Sequence, residues 1–204
     1  MKFPTYEIEQ EKIDSGFRYV VGVDESGRGP GAGPVVSAAV HIPQNKVDIF
    51  AGKVNDSKKV SPKKREALYD VIMEHCLVGV ESIDAEVIDK INILEATKLA
   101  MRNAIQQLGY YDYILVDGLV DLSEHLPDVP LQKIIKGDAL SISIAADSII
   151  AKVTRDRMML ELHKKWPIYD FENNKGYLTK SHIEAINTYG ITEHHRVSFR
   201  KVGR

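Results

Sequence analysis

Arg18 to Ile42 reads RYVVGVDESGRGPGAGPVVSAAVHI. The valines at 20, 21 and 23 make Arg18–Asp24 a β-branched strand, and Val35–Ile42 reads as a second strand of the same kind. Between them, glycines at 27, 29, 31 and 33 and prolines at 30 and 34 form a turn too rich in chain-breakers for a helix. The first apolar run stops at an acidic pair, Asp24-Glu25, at the point where the chain turns.

Downstream of this hairpin the pattern changes to strands alternating with helices. Ser61-Pro62 supplies an N-cap position and a proline in the first helical turn, for a helix running to about His75. Leu77–Ser82 reads as a third strand. Asp84 and Asn92 each start a helix, the second ending near Gly109. Tyr113–Asp117 and Leu131–Lys136 are short strands. Ile142 to about Trp166 has helical length and apolar density, and Thr179–Tyr189 is a last helix closed by Gly190. The reading is an α/β fold: a mixed five-stranded sheet flanked by helices, with a C-terminal helical part. Residues 1–204 are taken as a single domain, of which about 170–204 form the C-terminal helical extension.

The 204 residues are 44% apolar and 27% charged, an ordinary soluble profile. They contain no apolar run of bilayer length. The first residues, MKFPTYEIEQEK, lack the apolar core of a secretion signal. The single cysteine, Cys76, excludes an internal disulfide and fits a reducing compartment, so the expected location is the cytoplasm. The net charge of −2 carries no overall basic footprint for nucleic acid. Lys and Arg nevertheless concentrate in residues 52–65, GKVNDSKKVSPKKR, and again from Arg196 to Arg204.

Four acids sit where apolar strands end: Asp24 and Glu25 after the first, Asp117 after the fourth, and Asp138 after the fifth. In a compact sheet those ends can converge. Clustered carboxylates repel one another unless a cation neutralises them, and hard oxygen ligands suit Mg2+ or Mn2+. Two such ions can activate water and stabilise the leaving oxygen of a phosphodiester. Taken singly, each acid reads more readily as a turn residue or a helix cap than as a ligand. Asp147, inside the helical run IAADSIIAK, is left outside the metal set, its place open between buried partner, ligand and exposed residue. No Cys/His zinc spacing and no GxSxG elbow competes. The glycine turn fits neither the P-loop nor the dinucleotide fingerprint. Backbone bared by glycine can instead approach a ribose 2′-OH, with Arg28 on a neighbouring phosphate.

In order along the chain, Asp24-Glu25-Ser26-Gly27-Arg28-Gly29-Pro30, Asn55-Asp56-Ser57-Lys58-Lys59, the run INILEATKLAM from Ile91, Val116-Asp117-Gly118, Lys136-Gly137-Asp138, SIIAKVTRD from Ser148, Lys175-Gly176-Tyr177 and His195-Arg196-Val197-Ser198-Phe199 resemble the motifs of ribonuclease HII. The likeness spans roughly residues 18–200. It implies a ribonuclease H-like fold and a metal-dependent endonuclease that cuts the RNA strand of RNA–DNA hybrids. It also implies cutting 5′ of single ribonucleotides embedded in duplex DNA, leaving 3′-hydroxyl and 5′-phosphate ends. Asp24, Glu25, Asp117 and Asp138 would bind the metal, Mg2+ or Mn2+, with two ions during catalysis. Gly27, Arg28 and Gly29 would sense the 2′-OH, Lys58, Ser148 and Lys152 would face phosphates, and Tyr177 would stack on the following deoxyribose. Expected partners are RNA–DNA hybrid and ribonucleotide-containing duplex, with no membrane and a monomeric state. The type 3 sibling is less expected, since its catalytic part follows an N-terminal domain and only about twenty residues precede the first strand here.

The sequence departs from the family pattern at Ser26 (usually alanine), Gly31 (a larger apolar residue), Asp147 (a small residue) and Leu178 (glycine). Other residues carry plainer expectations: His182 and His195 as structural hydrogen-bonders, Trp166 against the sheet, Met158 and Met159 as core filler, and Arg196–Arg204 as a solvated tail. Two other functions stand against nuclease activity. A non-catalytic hybrid-binding or clamp-recruited module would be expected to lack one of the four acids. A phosphohydrolase of small nucleotides would be indifferent to duplexes.

Overall fold

The computed structural model describes residues 3–203. Its strands are β1 Val20–Ser26, β2 Val35–His41, β3 Leu77–Ile83, β4 Tyr113–Asp117 and β5 Leu131–Ile134. They form one sheet in the order β3-β2-β1-β4-β5. β1 pairs antiparallel with β2, and β2 with β3, while β4 runs parallel to both β1 and β5. The helices are α1 Glu7–Asp14, α2 Val47–Phe50, α3 Pro62–His75, α4 Ala85–Gln107, α5 Ile142–Lys165, α6 Phe171–Asn174 and α7 Lys180–Tyr189. No helix among the described residues is long and apolar enough to cross a membrane.

Strand alternation assigns the faces. Val20 and Leu115 pack with Ile144 of α5, whereas Val21, Val23, Ile114 and Val116 pack with Met101, Ala104 and Ile105 of α4. Gly22, Asp24 and Asp117 therefore face α5. The last paired residues of β1 and β4 are Val23 and Val116. One step further the register sets Asp24 beside Asp117, about 4.8 Å apart along the sheet.

The helix pair expected at Asp84 and Asn92 is present as α4, broken at Asn92, where φ is +67°. The Asn92 side chain accepts from the Leu94 and Glu95 amides at 2.9 and 3.1 Å and so caps the second half. Several boundaries differ from expectation, β1 running on to Ser26, and one helix is additional. β1 starts at Val20 because the Arg18 and Tyr19 amides are bound by the Asp112 carboxylate, both at 2.8 Å. β5 stops at Ile134, and Lys136 turns with φ of +59°. Residues 7–14, given no structure by the sequence pattern, form α1. That helix inserts the fully buried Glu9, whose Oε1 accepts from Ser141 Oγ, Ser143 N and Ser143 Oγ at 2.6, 2.9 and 2.6 Å. A carboxylate at the start of α5 meets the positive end of its dipole.

Candidate active site

All eleven candidate residues line one cavity of about 450 Å³: Asp24, Glu25, Gly27, Arg28, Gly29, Lys58, Asp117, Asp138, Ser148, Lys152 and Tyr177, with Ser26 and Ser57 completing the wall. Burial pushes the Asp24 carboxyl well up, and the charges of Glu25 and Asp117 push the same way. Glu25 is raised by burial and partly offset by Arg28, whose Nη1 lies 3.7 Å from its Oε1. Burial also raises Asp117, against the pull of backbone donors such as the Gly137 amide at 2.6 Å. Asp138 is raised by burial and by the charges of Asp56 and Asp117. Each of the four gains by meeting a cation.

The donor set is all oxygen, which fits hard divalent ions such as Mg2+ or Mn2+. Among the described residues, the set of three acid or histidine groups whose ligand atoms all lie within 4.8 Å of one another is His163, Asp170 and Glu172. No three of the four cleft acids bring their ligand atoms that close together. His163 is near the far end of α5, about 22 Å along the helix from Ser148. Its cluster is already partnered: His163 Nε2 lies 3.5 Å from Glu172 Oε1, and Asp170 accepts from Asn173 at 2.6 Å.

The basic wall comes from a pinned loop and from α5. Arg65 Nη1 donates to the carbonyls of Ser57 and Val60 at 2.6 and 2.7 Å, holding the segment that presents Lys58. The Lys58 charge acts favourably on Glu25, Asp117 and Asp138. Lys152 Nζ is held by Asp156 at 2.7 Å, one helical turn on. The Tyr177 ring is half exposed and flanks Gly29, where a Cβ would stand 3.4 Å from Tyr177 Cε1.

Two fully buried arginines shape the glycine turn, and sequence reasoning missed both. Arg155 donates to the carbonyls of Pro34, Ala32 and Lys175 at 2.9, 3.1 and 2.9 Å. Arg196 donates to those of Gly33, Arg28 and Gly27 at 2.9, 3.1 and 2.7 Å. Burial lowers Arg155 to about 10 and Arg196 to about 9, so both stay charged at neutral pH. The expectation of a solvated tail fails at Arg196, which is 0% exposed; Arg204 lies outside the described residues. Trp166 packs with Ala32, Met159, Tyr169 and Phe171 rather than on the sheet. Met159 is in that core, whereas Met158 is half-buried.

A hydrogen-bond chain anchors Tyr177. The Thr192 amide donates to His195 Nδ1 at 3.0 Å, which puts the His195 proton on Nε2, facing His182 Nε2 at 3.1 Å. His182 Nδ1 then donates to the Tyr177 carbonyl at 2.9 Å. This is the structural role expected of the two histidines. Two of the family departures also meet here. A Cβ on Gly31 would stand 2.7 Å from Leu178 Cγ and Cδ2, so Leu178 fills the space that a larger residue at 31 would take.

Fold and site together define a metal-dependent nuclease of the ribonuclease H type. The ribonuclease HII family pattern matches residues 21–202. Ribonuclease HII of Bacillus subtilis (strain 168) is 53% identical over 192 residues, covering 93% of this chain and 72% of that protein. The Caldicellulosiruptor bescii enzyme is 48% identical over 200 residues, covering 96% and 93%. Among solved structures, ribonuclease HII in the PCNA complex from Archaeoglobus fulgidus superposes with a TM-score of 0.76 at 28% identity, covering 89% of this chain and 95% of that one. A ribonuclease HIII structure in complex with Mn2+ shares the fold, with a TM-score of 0.73 at 18% identity over 91% of this chain and 68% of that one. The chain belongs to the ribonuclease HII family, and it is a metal-dependent endoribonuclease acting on RNA–DNA hybrids.

Proposed function

We propose that this enzyme also cuts on the 5′ side of single ribonucleotides embedded in duplex DNA, leaving 3′-hydroxyl and 5′-phosphate ends. The observation that carries the reading is the shared cavity, in which four strand-end acids face a glycine turn, two lysines and an exposed tyrosine.

Asp24, Glu25, Asp117 and Asp138 would hold the cations, Mg2+ or Mn2+, and two ions held there would supply an activated water and positive charge for the leaving oxygen. Gly27 and Gly29 offer bare backbone to the ribose 2′-OH, the group by which RNA differs from DNA. Arg155 and Arg196 act as positioning residues, fixing the carbonyls of that turn. Arg28, Lys58, Ser148 and Lys152 bind backbone phosphates and set the register of the duplex. Tyr177 stacks on the sugar that follows the ribonucleotide. Residues 1–204 work as one catalytic domain in a cytoplasmic monomer. The part from about 170 closes over the groove, in keeping with the bonds from the Gly31 amide to the Gly176 carbonyl and from the Gly33 amide to the His194 carbonyl.

The test is a labelled DNA duplex carrying one ribonucleotide, incubated with Mg2+, with Mn2+ or with EDTA. Cleavage at the single 5′ position with either metal, ending in a ligatable 3′-hydroxyl and abolished by EDTA, is the expected result. Cleavage that survives EDTA, or that ignores the ribonucleotide, contradicts it.

A further inference from the structure

Asp147 has no part in that scheme, yet it is 0% exposed and neither of its carboxylate oxygens has a hydrogen-bond partner. It projects from α5 toward β1 at Gly22. A Cβ on Gly22 would stand 2.7 Å from Asp147 Oδ2 and 2.6 Å from the Ile144 amide nitrogen, so the carboxyl sits in the hollow that this glycine leaves. Gly22 and Asp24 share the α5 face of β1 and are two residues, about 7 Å, apart along it. Asp147 thus lies behind Asp24, on the closed side of the cleft. Burial, and after it the charges of Asp24, Asp117, Asp138 and Glu25, push its carboxyl well above the usual carboxylate range.

An acid sealed from water, without a donor and beside four others, is costly to bury in its charged form unless a cation balances the group. We propose that Asp147 is a fifth, rear carboxylate of the cation site, and that through it the stability of the fold is tied to a bound divalent ion such as Mg2+ or Mn2+. The inference rests on the reading of the four cleft acids as cation ligands. Asp147 is a positioning residue in this scheme: with a cation bound it adds negative charge behind Asp24, and it does not reach substrate. A ligand that binds only the folded chain stabilises it by mass action, and a fifth acid enlarges that gain by making the cation-free state worse.

Calorimetry on the full chain, in EDTA and in saturating Mn2+, tests this with Asp147→Ala and the isosteric Asp147→Asn. In the wild type, Mn2+ raises the melting temperature. In Asp147→Ala the rise is at least halved, and Mn2+ titration without substrate gives roughly 10-fold weaker binding, the scale expected when a supporting group behind a ligand is removed. Asp147→Asn, which keeps the shape and loses the charge, shows the same smaller rise whatever its baseline stability. A rise of wild-type size in Asp147→Ala, with unchanged Mn2+ affinity, overturns the role of Asp147 while leaving the four-acid site intact. No Mn2+ response in the wild type overturns the four-acid reading itself, and this proposal with it.

Discussion

Gly27 has room for no side chain. Its φ is +100°, and an added Cβ would stand 2.0 Å from Arg155 Nε, the atom that donates to the Pro34 carbonyl. Gly27→Ala therefore strains the backbone and displaces a buried arginine together, for a loss of about 1–3 kcal/mol in stability. Urea denaturation measures the first effect. Cleavage of embedded ribonucleotides should fall more steeply than duplex binding, because Lys58 and Lys152, proposed to hold the phosphates, lie elsewhere in the cleft. Arg155 and Arg196 are the residues that sequence alone does not reveal. An arginine in a helix or a tail reads as solvated surface until the fold surrounds it with carbonyls. Asp147 was open for the same reason, since its burial depends on Gly22, 125 positions away.

At the scale of elements, Gly31 and Leu178 behave as one packing unit shared between the glycine turn and the segment leading to α7. Gly31→Val puts a side chain into Leu178 and should cost about 1–3 kcal/mol. The double change Gly31→Val with Leu178→Gly should recover much of that loss, as a positive coupling in a thermal double-mutant cycle. Additive losses would mean that the two sites are independent.

The histidine chain behind Tyr177 gives a pH dependence of known sign. Burial and the neighbouring His182 lower His195 to about 4, and burial lowers His182 too. A depressed histidine pKa means that the unfolded chain binds the proton first. The contribution of the pair is therefore complete above about 6.5 and is lost as pH falls toward about 4. Protonating His182 also sets two N–H groups face to face across the 3.1 Å contact, and protonating His195 turns a new Nδ1–H against the Thr192 amide. Replacing His195 with asparagine should flatten the acid limb of a stability–pH curve over that window, and an unchanged limb would remove this account. The elements themselves were largely readable from sequence. β4 ends at Asp117 as read, β1 runs two residues past Asp24 to Ser26, and Asn92 announces its own cap. α1 was not readable, because its buried Glu9 answers to Ser141 and Ser143, more than a hundred residues away.

For the molecule as a whole, the sheet does one thing for chemistry: the parallel pairing of β1 and β4 runs to Val23 and Val116 and delivers the next residues, Asp24 and Asp117, to the α5 face. Asp138 enters from the turn after β5, and Glu25 from the strand end next to Asp24. That convergence could be anticipated from strand ends, but the distances between the acids could not, because they depend on register. The most direct measurement is the paired assay of Asp138→Asn for hybrid cleavage and hybrid binding in Mg2+. The account predicts a loss of at least about 1,000-fold in rate, the scale of removing a principal electrostatic group, with hybrid binding near that of the wild type. Wild-type cleavage by Asp138→Asn would show that these carboxylates do not hold the ions that cut.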